Sequence, residues 1–260
     1  PMNMHHKLLL ASGLLGLAAC SRTIEVADHD GKALAAAIQA ANADTRKTTI
    51  RLAKRGMYVI DSPAEAGLLL PSIRGHVEIE GNGAEIRAYT DQPVALLQVE
   101  KNGELELQRL SLAEGGDGAV RNYGELALDR VQIVDSSALR ANAIVLNHGN
   151  LRAADSQIAF NSLSPVRRDA GTVLNYGSIE LDRSAIHDNY TLGKYPSLAV
   201  AGGVLNYGEL RVDGLTMANN SADNGGDLLS ASGILNLGNG QVSGDIAGIR
   251  ETMPVVALGR

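Results

Sequence analysis

Along most of the chain, apolar and polar residues alternate in short bursts and show no helical spacing. A series of glycines is each followed by an alternating stretch whose second and fourth residues are apolar: Val77 and Ile79, Leu105 and Leu107, Leu126 and Leu128, Ile179 and Leu181, Leu210 and Val212. A period of two with one apolar side predicts a strand with one buried face. A second apolar column stands nine residues after the glycine, at Leu112, Ile133, Ile158, Ile186 and Met217. A third stands four before it, at Val120, Val145, Val173, Val204 and Ile234. The glycines themselves (Gly75, Gly103, Gly124, Gly149, Gly177, Gly208, Gly238) recur 21 to 31 residues apart, a drifting interval that means one structural unit with a loop of variable length. Three short strands per unit, with every column in register, predict three parallel sheets stacked around a narrow aliphatic core. The one helical pattern precedes them, over residues 32–42, with Asp30 as its cap and Leu34, Ile38 and several alanines on its apolar side. It is expected to act as a lid.

The fold class that follows is all-β: a single-stranded right-handed parallel β-helix of about seven coils with an N-terminal capping helix, a rod about 30 Å long at the usual strand spacing. Leu, Ile, Val and Ala supply the apolar content, with Phe once and Trp never, which suits a slim interior. Four segments are expected: a leader over 1–20, a strand and capping helix over 21–45, the β-helix over 46–245, and a cap or tail over 246–260. A net charge of -6 without a long Lys/Arg run excludes a nucleic-acid footprint.

The leader carries His5, His6 and Lys7 ahead of an apolar run from Leu8 to Ala19 that is too short to span a bilayer. Its end, Leu17-Ala18-Ala19-Cys20, resembles the lipobox of bacterial lipoproteins, which implies lipidation of Cys20 and a membrane anchor. Cys20 is the only cysteine, so no intramolecular disulfide can form. Ser21-Arg22 lacks the Asp associated with inner-membrane retention, and the resemblance therefore implies the outer membrane.

Asn122-Tyr123-Gly124, Asn147-His148-Gly149, Asn175-Tyr176-Gly177, Asn206-Tyr207-Gly208 and Asn236-Leu237-Gly238 mark one corner of each unit, and Asn161, Asn189 and Asn220 mark another. The asparagines are expected to sit at left-handed corners and to bond to one another as ladders along the rod; Tyr123, His148, Tyr176 and Tyr207 share one column, expected to be a partial aromatic stack, with a sugar platform as the alternative. With Gly202-Gly203-Val204-Leu205-Asn206-Tyr207-Gly208-Glu209-Leu210 and Asn220, the repeat resembles the pectin-lyase-like parallel β-helix superfamily, in particular its polymorphic outer-membrane-type repeats, over about residues 23 to 245. That resemblance implies a fold and leaves activity open, since the superfamily holds lyases, hydrolases, adhesins and binding proteins.

Two places break the repeat. On the outward side of the first strand, Glu78, Glu104, Glu106 and Glu125 become neighbours if the strands stack in register, an acidic patch suited to Ca²⁺ or neutralised by Lys101 or Arg109. From one corner the insertions 137–142, 162–170, 190–201 and 221–231 grow into a one-sided ridge. It holds Arg167, Arg168, Tyr190, Lys194, Tyr195, Asp223 and Asp227, a mixture that could grip an acidic sugar chain. Gly75-His76 lacks the following glycine of a polygalacturonase-type element, and His187-Asp188 has no nucleophile specified beside it. The sequence therefore favours a non-catalytic, lipid-anchored envelope module that binds polysaccharide or another envelope component. The alternative is a Ca-dependent lyase acting on an anionic polysaccharide, with Lys194 or Arg167 as base.

Overall fold

The computed structural model describes residues 22–164, 169–192, 200–222, 226, 228–230, 234–237, 241–242 and 246–247. The chain winds into a parallel β-solenoid of about 7 turns. Its first sheet stacks Arg22–Val26, Thr48–Leu52, His76–Ala88, Glu104–Ala113, Glu125–Asp129, Asn150–Ala154, Ser178–Asp182, Glu209–Asp213 and Ile234–Leu237 in that order, every pair parallel. The second begins at Met57–Ile60, takes in the distal halves of the two long strands, and continues through Gln132–Val134, Gln157–Ala159, Ala185–His187, Thr216–Ala218 and Gln241–Val242. The third runs from Leu97–Val99 and Val120–Asn122 through Ala143–Asn147, Ala170–Asn175, Val200–Asn206 and Leu228–Ser230 to Ile246–Ala247. A small fourth sheet, Ser137–Ala138, Ser162–Leu163, Tyr190–Thr191 and Ser221–Ala222, lines the corner from which the insertions leave.

The apolar columns predicted for the three strands fill the interior: Leu105, Leu126, Ile179 and Leu210 from the first, Leu112, Ile133, Ile158 and Ile186 from the second, Val120, Val145, Val173 and Val204 from the third, all buried in one cluster. The last repeat departs from the expectation. Val204 pairs with Leu228 and Asn206 with Ser230, so the third column passes to Leu228; Ile234 lies opposite Glu209 and Asn236 opposite Arg211, in the first sheet. Of the two apolar-rich stretches, 228–229 takes the rung in the third sheet and 234–235 the following one in the first.

The capping helix spans Gly31–Asn42, and the Asp30 Oδ1 accepts the Ala33 N–H at 2.8 Å. Leu34, Ala37, Ile38 and Ala41 are buried against the first coil. No helix among the described residues is long and apolar enough to cross a membrane.

The corners correct a second expectation. The left-handed residues are not the ladder asparagines but Arg130, Asp155 and Arg183, with Gly214, six after the marker glycine, and Asp135, Phe160, Asp188 and Asn219 eleven after it. Asn122, Asn147, Asn175 and Asn206 end strands of the third sheet, while Asn161, Asn189 and Asn220 stand at the next corner, each directly after a left-handed residue, and all seven are buried. The marker glycines serve close approach: a Cβ on Gly177 would lie 2.1 Å from the carbonyl oxygen of Gly149, and one on Gly208 2.0 Å from that of Gly177.

Candidate functional site

The four glutamates do come together. Glu78 pairs with Glu106, and Glu104 with Glu125, on adjacent rungs of the first sheet. Each carboxylate is met by a donor from the chain. Lys47 Nζ stands 3.0 Å from Glu78 Oε2 and 2.9 Å from Glu106 Oε2. Gln108 Nε2 donates to Glu78 Oε1 at 2.8 Å and Glu106 Oε1 at 2.7 Å. His76 Nδ1 lies 2.7 Å from Glu104 Oε2, and Asn150 Nδ2 donates to Glu125 Oε1 at 2.6 Å. The Lys47 bond holds the Glu106 carboxyl below the usual carboxylate range against the opposing pull of burial. The neutralising cation is thus Lys47; Lys101 lies beside the third sheet, and Arg109 donates to Asn82 Oδ1 at 3.2 Å. Among the described residues no group of three or more His, Cys, Asp or Glu side chains is arranged to hold a metal ion.

Of the ridge, Tyr190 is described: it opens its insertion from the corner sheet, paired with Ser162 and Ser221, with its side chain exposed. Arg167, Arg168, Lys194, Tyr195, Asp223 and Asp227 lie outside the described residues, as does Cys20. His187 has both ring nitrogens engaged, Nδ1 at 2.6 Å from Asp188 Oδ2 and Nε2 at 2.6 Å from Gln157 Nε2, with Phe160 edge-on at 5.5 Å. That arrangement leaves no free nitrogen for a substrate proton.

A site less visible in the sequence lies on the outer side of the third sheet. Tyr123, His148, Tyr176 and Tyr207 form one column of rings, with centroids 5.3, 4.8 and 5.2 Å apart and planes within 12° of parallel. Their order comes from below. Each ring residue follows a ladder asparagine, and these are fully buried and bonded coil to coil: Asn122 Nδ2 to Asn147 Oδ1 at 2.8 Å, Asn147 Nδ2 to Asn175 Oδ1 at 2.8 Å, Asn175 Nδ2 to Asn206 Oδ1 at 2.7 Å. Beside the rings runs a groove of about 440 Å³, lined by Tyr123, His148 and Tyr176 on one side and by Arg121, Arg140 and Asp117 among others. Arg140 belongs to the first insertion of the ridge, so the structure joins the ridge to the aromatic column. Toward the N-terminal end a second groove of about 520 Å³ shares Tyr123 and His148 and adds Gln98, Glu100 and Lys101.

Within the groove, Asp117 is buried and its Oδ1 accepts the N–H groups of Arg140 and Ala141, both at 2.8 Å, which fixes the insertion against the coil. Burial pushes the Tyr176 hydroxyl above its ordinary range, with Asp169 adding to the effect; Tyr207 is pushed up further, by burial and then by its hydrogen bond to Asp169. Both stay protonated donors at any physiological pH. No family model matches the chain, and no curated protein or solved structure matches it either. The solenoid is therefore established by its own strand pairing.

Arg140 falls in the insertion 137–142 without being singled out there, and Arg121 escapes sequence reasoning for a definite reason. Arg121 shares its outward column with Leu146, Leu174 and Leu205, whose apolar character resembles a core column. In the structure Leu174 and Leu205 are buried on the outside of the sheet, in a separate cluster with Ala143 and Ala201. The signal that could have revealed the column is that its neighbour, Val120 to Val204, already fills the inside, so alternation assigns these leucines outward.

Proposed function

We propose that the protein is a non-catalytic binding rod of the bacterial cell envelope, anchored at the outer membrane through a lipid on Cys20, that holds polysaccharide along the outer side of its third sheet. The observation that supports this reading is the aromatic column beside a groove of about 440 Å³. Rings fixed by a buried amide ladder offer tyrosine hydroxyls and an imidazole at regular intervals without further ordering on binding, and preorganised polar groups beside apolar walls are what sugar chains require. The pectin-lyase-like resemblance and the lipobox are consistent with an envelope protein facing glycans.

The test is calorimetric titration of the purified chain with a panel of envelope and plant-type polysaccharides, run beside the same titrations of Tyr176→Ala. Binding to at least one glycan that weakens about tenfold in the variant, a loss of about 1.4 kcal/mol, is expected. Absence of binding across the panel, or release of unsaturated sugars absorbing in the ultraviolet, would replace this reading, the latter with a lyase. For the anchor, Cys20→Ala is expected to abolish metabolic labelling by fatty acid and to free the protein from membranes; retention on membranes would exclude the lipobox reading.

A further inference from the structure

Resting on the lipid anchor proposed above, we infer that the first coils also meet the membrane directly: the corner between the first and second sheets lies on an anionic phospholipid surface, with Lys54, Arg55 and Arg109 on lipid phosphates and Met57 and Val59 in the interfacial layer. Two adjoining elements build this surface. After Thr48–Leu52 the chain turns at Lys54 and Arg55 and enters Met57–Ile60, the first rung of the second sheet. Arg55, Asn82 and Arg109 take the left-handed corner position of three successive coils. The Arg55 N–H donates to the Asn82 carbonyl at 3.1 Å and Arg109 Nη2 donates to Asn82 Oδ1 at 3.2 Å, so the two arginines flank one asparagine along the edge. Both are exposed, as is Lys54. Among the described residues the side chains of Lys54 and Arg55 have no ion-pair or hydrogen-bond partner, and Arg109 is matched by the neutral Asn82 alone. On the strand that follows, alternation turns Tyr58 and Ile60 inward and leaves Met57 39 % and Val59 40 % exposed.

The charge of the occupant follows from what adjoins these groups. The neighbouring carboxylates are already matched: Asp28 accepts the Met57 N–H at 2.8 Å and lies beside His29, Glu80 is paired with Arg51, Glu85 with Arg87, and Asp129 with Arg130. The exposed Asp61, past the far end of the strand, bounds the patch. A chain of net charge -6 thus leaves an unmatched cationic corner beside outward apolar side chains, the combination that an anionic bilayer interface accepts. Its place also suits an anchored rod. Cys20 precedes Arg22 by two residues, and Arg22–Val26 pairs with Thr48–Leu52, the strand that leads into this corner. In a three-sided solenoid the corner between the first two sheets is the one opposite the third, so contact here turns the ring column and its groove away from the bilayer. Three cations are too few to hold a free chain against screening at physiological salt; the surface orients the rod and does not replace its anchor.

The experiment takes the unacylated chain from Ser21 onward, which holds every described strand and the helix, and measures its co-sedimentation at low salt with vesicles of phosphatidylcholine alone and of phosphatidylcholine with phosphatidylglycerol. Partition onto the anionic vesicles at least about tenfold above that onto the neutral ones is expected, and high salt should abolish it. Lys54→Gln combined with Arg55→Gln should lower it at least about fivefold, and Arg109→Gln should lower it further. Arg152→Gln, on the outer side of the first sheet, should leave it unchanged; circular dichroism checks that each variant folds. The chain has no tryptophan, so Val59→Trp is a sole reporter. Its emission should shift to the blue on anionic vesicles and be quenched by brominated lipid, whereas Leu139→Trp, exposed on the insertion corner, should report water throughout. Equal binding to neutral vesicles, anionic binding that the cation variants leave unchanged, or a Val59→Trp emission that stays that of water overturns the inference. With fatty-acid labelling of Cys20 intact, such a result leaves the anchor reading standing; binding through this corner without any labelling would remove the anchor and keep the surface.

Discussion

The ladder of the third sheet is built from asparagines that are fully buried, Asn175 among them. Asn175 donates through Nδ2 to Asn206 Oδ1 at 2.7 Å and to the Glu209 carbonyl at 3.0 Å, while its Oδ1 accepts from Asn147 Nδ2 at 2.8 Å and from the Gly177 N–H at 3.1 Å. Truncation to Ala leaves at least two of those partners buried without a bond, each costing about 1–3 kcal/mol, so Asn175→Ala should destabilise the protein by about 3–5 kcal/mol. A urea-denaturation midpoint measures it; a loss below about 1 kcal/mol would mean that the ladder is incidental. These asparagines were legible because a ladder needs the same side chain on every rung. The left-handed corners were not, because an exposed left-handed residue costs only about 1–2 kcal/mol and almost any side chain can stand there, here Arg130, Asp155 and Phe160 in turn.

At the scale of one sheet, alternation revealed which glutamates share a face but not what neutralises them. Lys47 precedes its strand and reaches Glu106 across 59 residues of sequence, a separation that no local pattern reports. Its removal should cost about 1 kcal/mol at neutral pH, the scale of two partly exposed ion pairs. The pH dependence has a defined sign. Glu106 has its folded pKa depressed, chiefly by the Lys47 bond, so its contribution is present above the unfolded carboxylate range and is lost as pH falls through the folded value. Burial pulls Lys47 down, but the hydrogen bonds it donates to Glu106 and Glu78 and their charges outweigh it and raise the group, so its contribution is present below its unfolded value and lost as pH rises through the folded one. The difference in stability between the wild type and Lys47→Ala is therefore expected to be widest near neutrality and to close toward both acid and strong alkali. Thermal melts across that range would show it, and a difference that stayed constant down to strong acid would assign the effect to lost packing.

The whole molecule is one-dimensional: each coil touches the coil before and the coil after, and its interior would be open at both ends. The Gly31–Asn42 helix covers the first end, burying Leu34 and Ile38 completely beside Arg22–Val26, which among the described residues pairs with Thr48–Leu52 alone. A solenoid of this kind transmits damage to neighbours and not to the whole. Ile38→Asp places a charge at a fully buried site under the lid, a change in the class that costs several kcal/mol. Its expected effect is local: hydrogen exchange should quicken in the helix and in Arg22–Val26 and Thr48–Leu52, while the buried amides of Val120–Asn122, Ala143–Asn147 and Ala170–Asn175 remain protected. The uncovered rung would then present unpaired backbone groups and an apolar interior, the condition under which strands recruit another chain, so the variant should also associate end to end in size-exclusion chromatography. Loss of protection in all coils at once would show that the rod folds as one cooperative block, with the helix as part of its nucleus and not simply its lid.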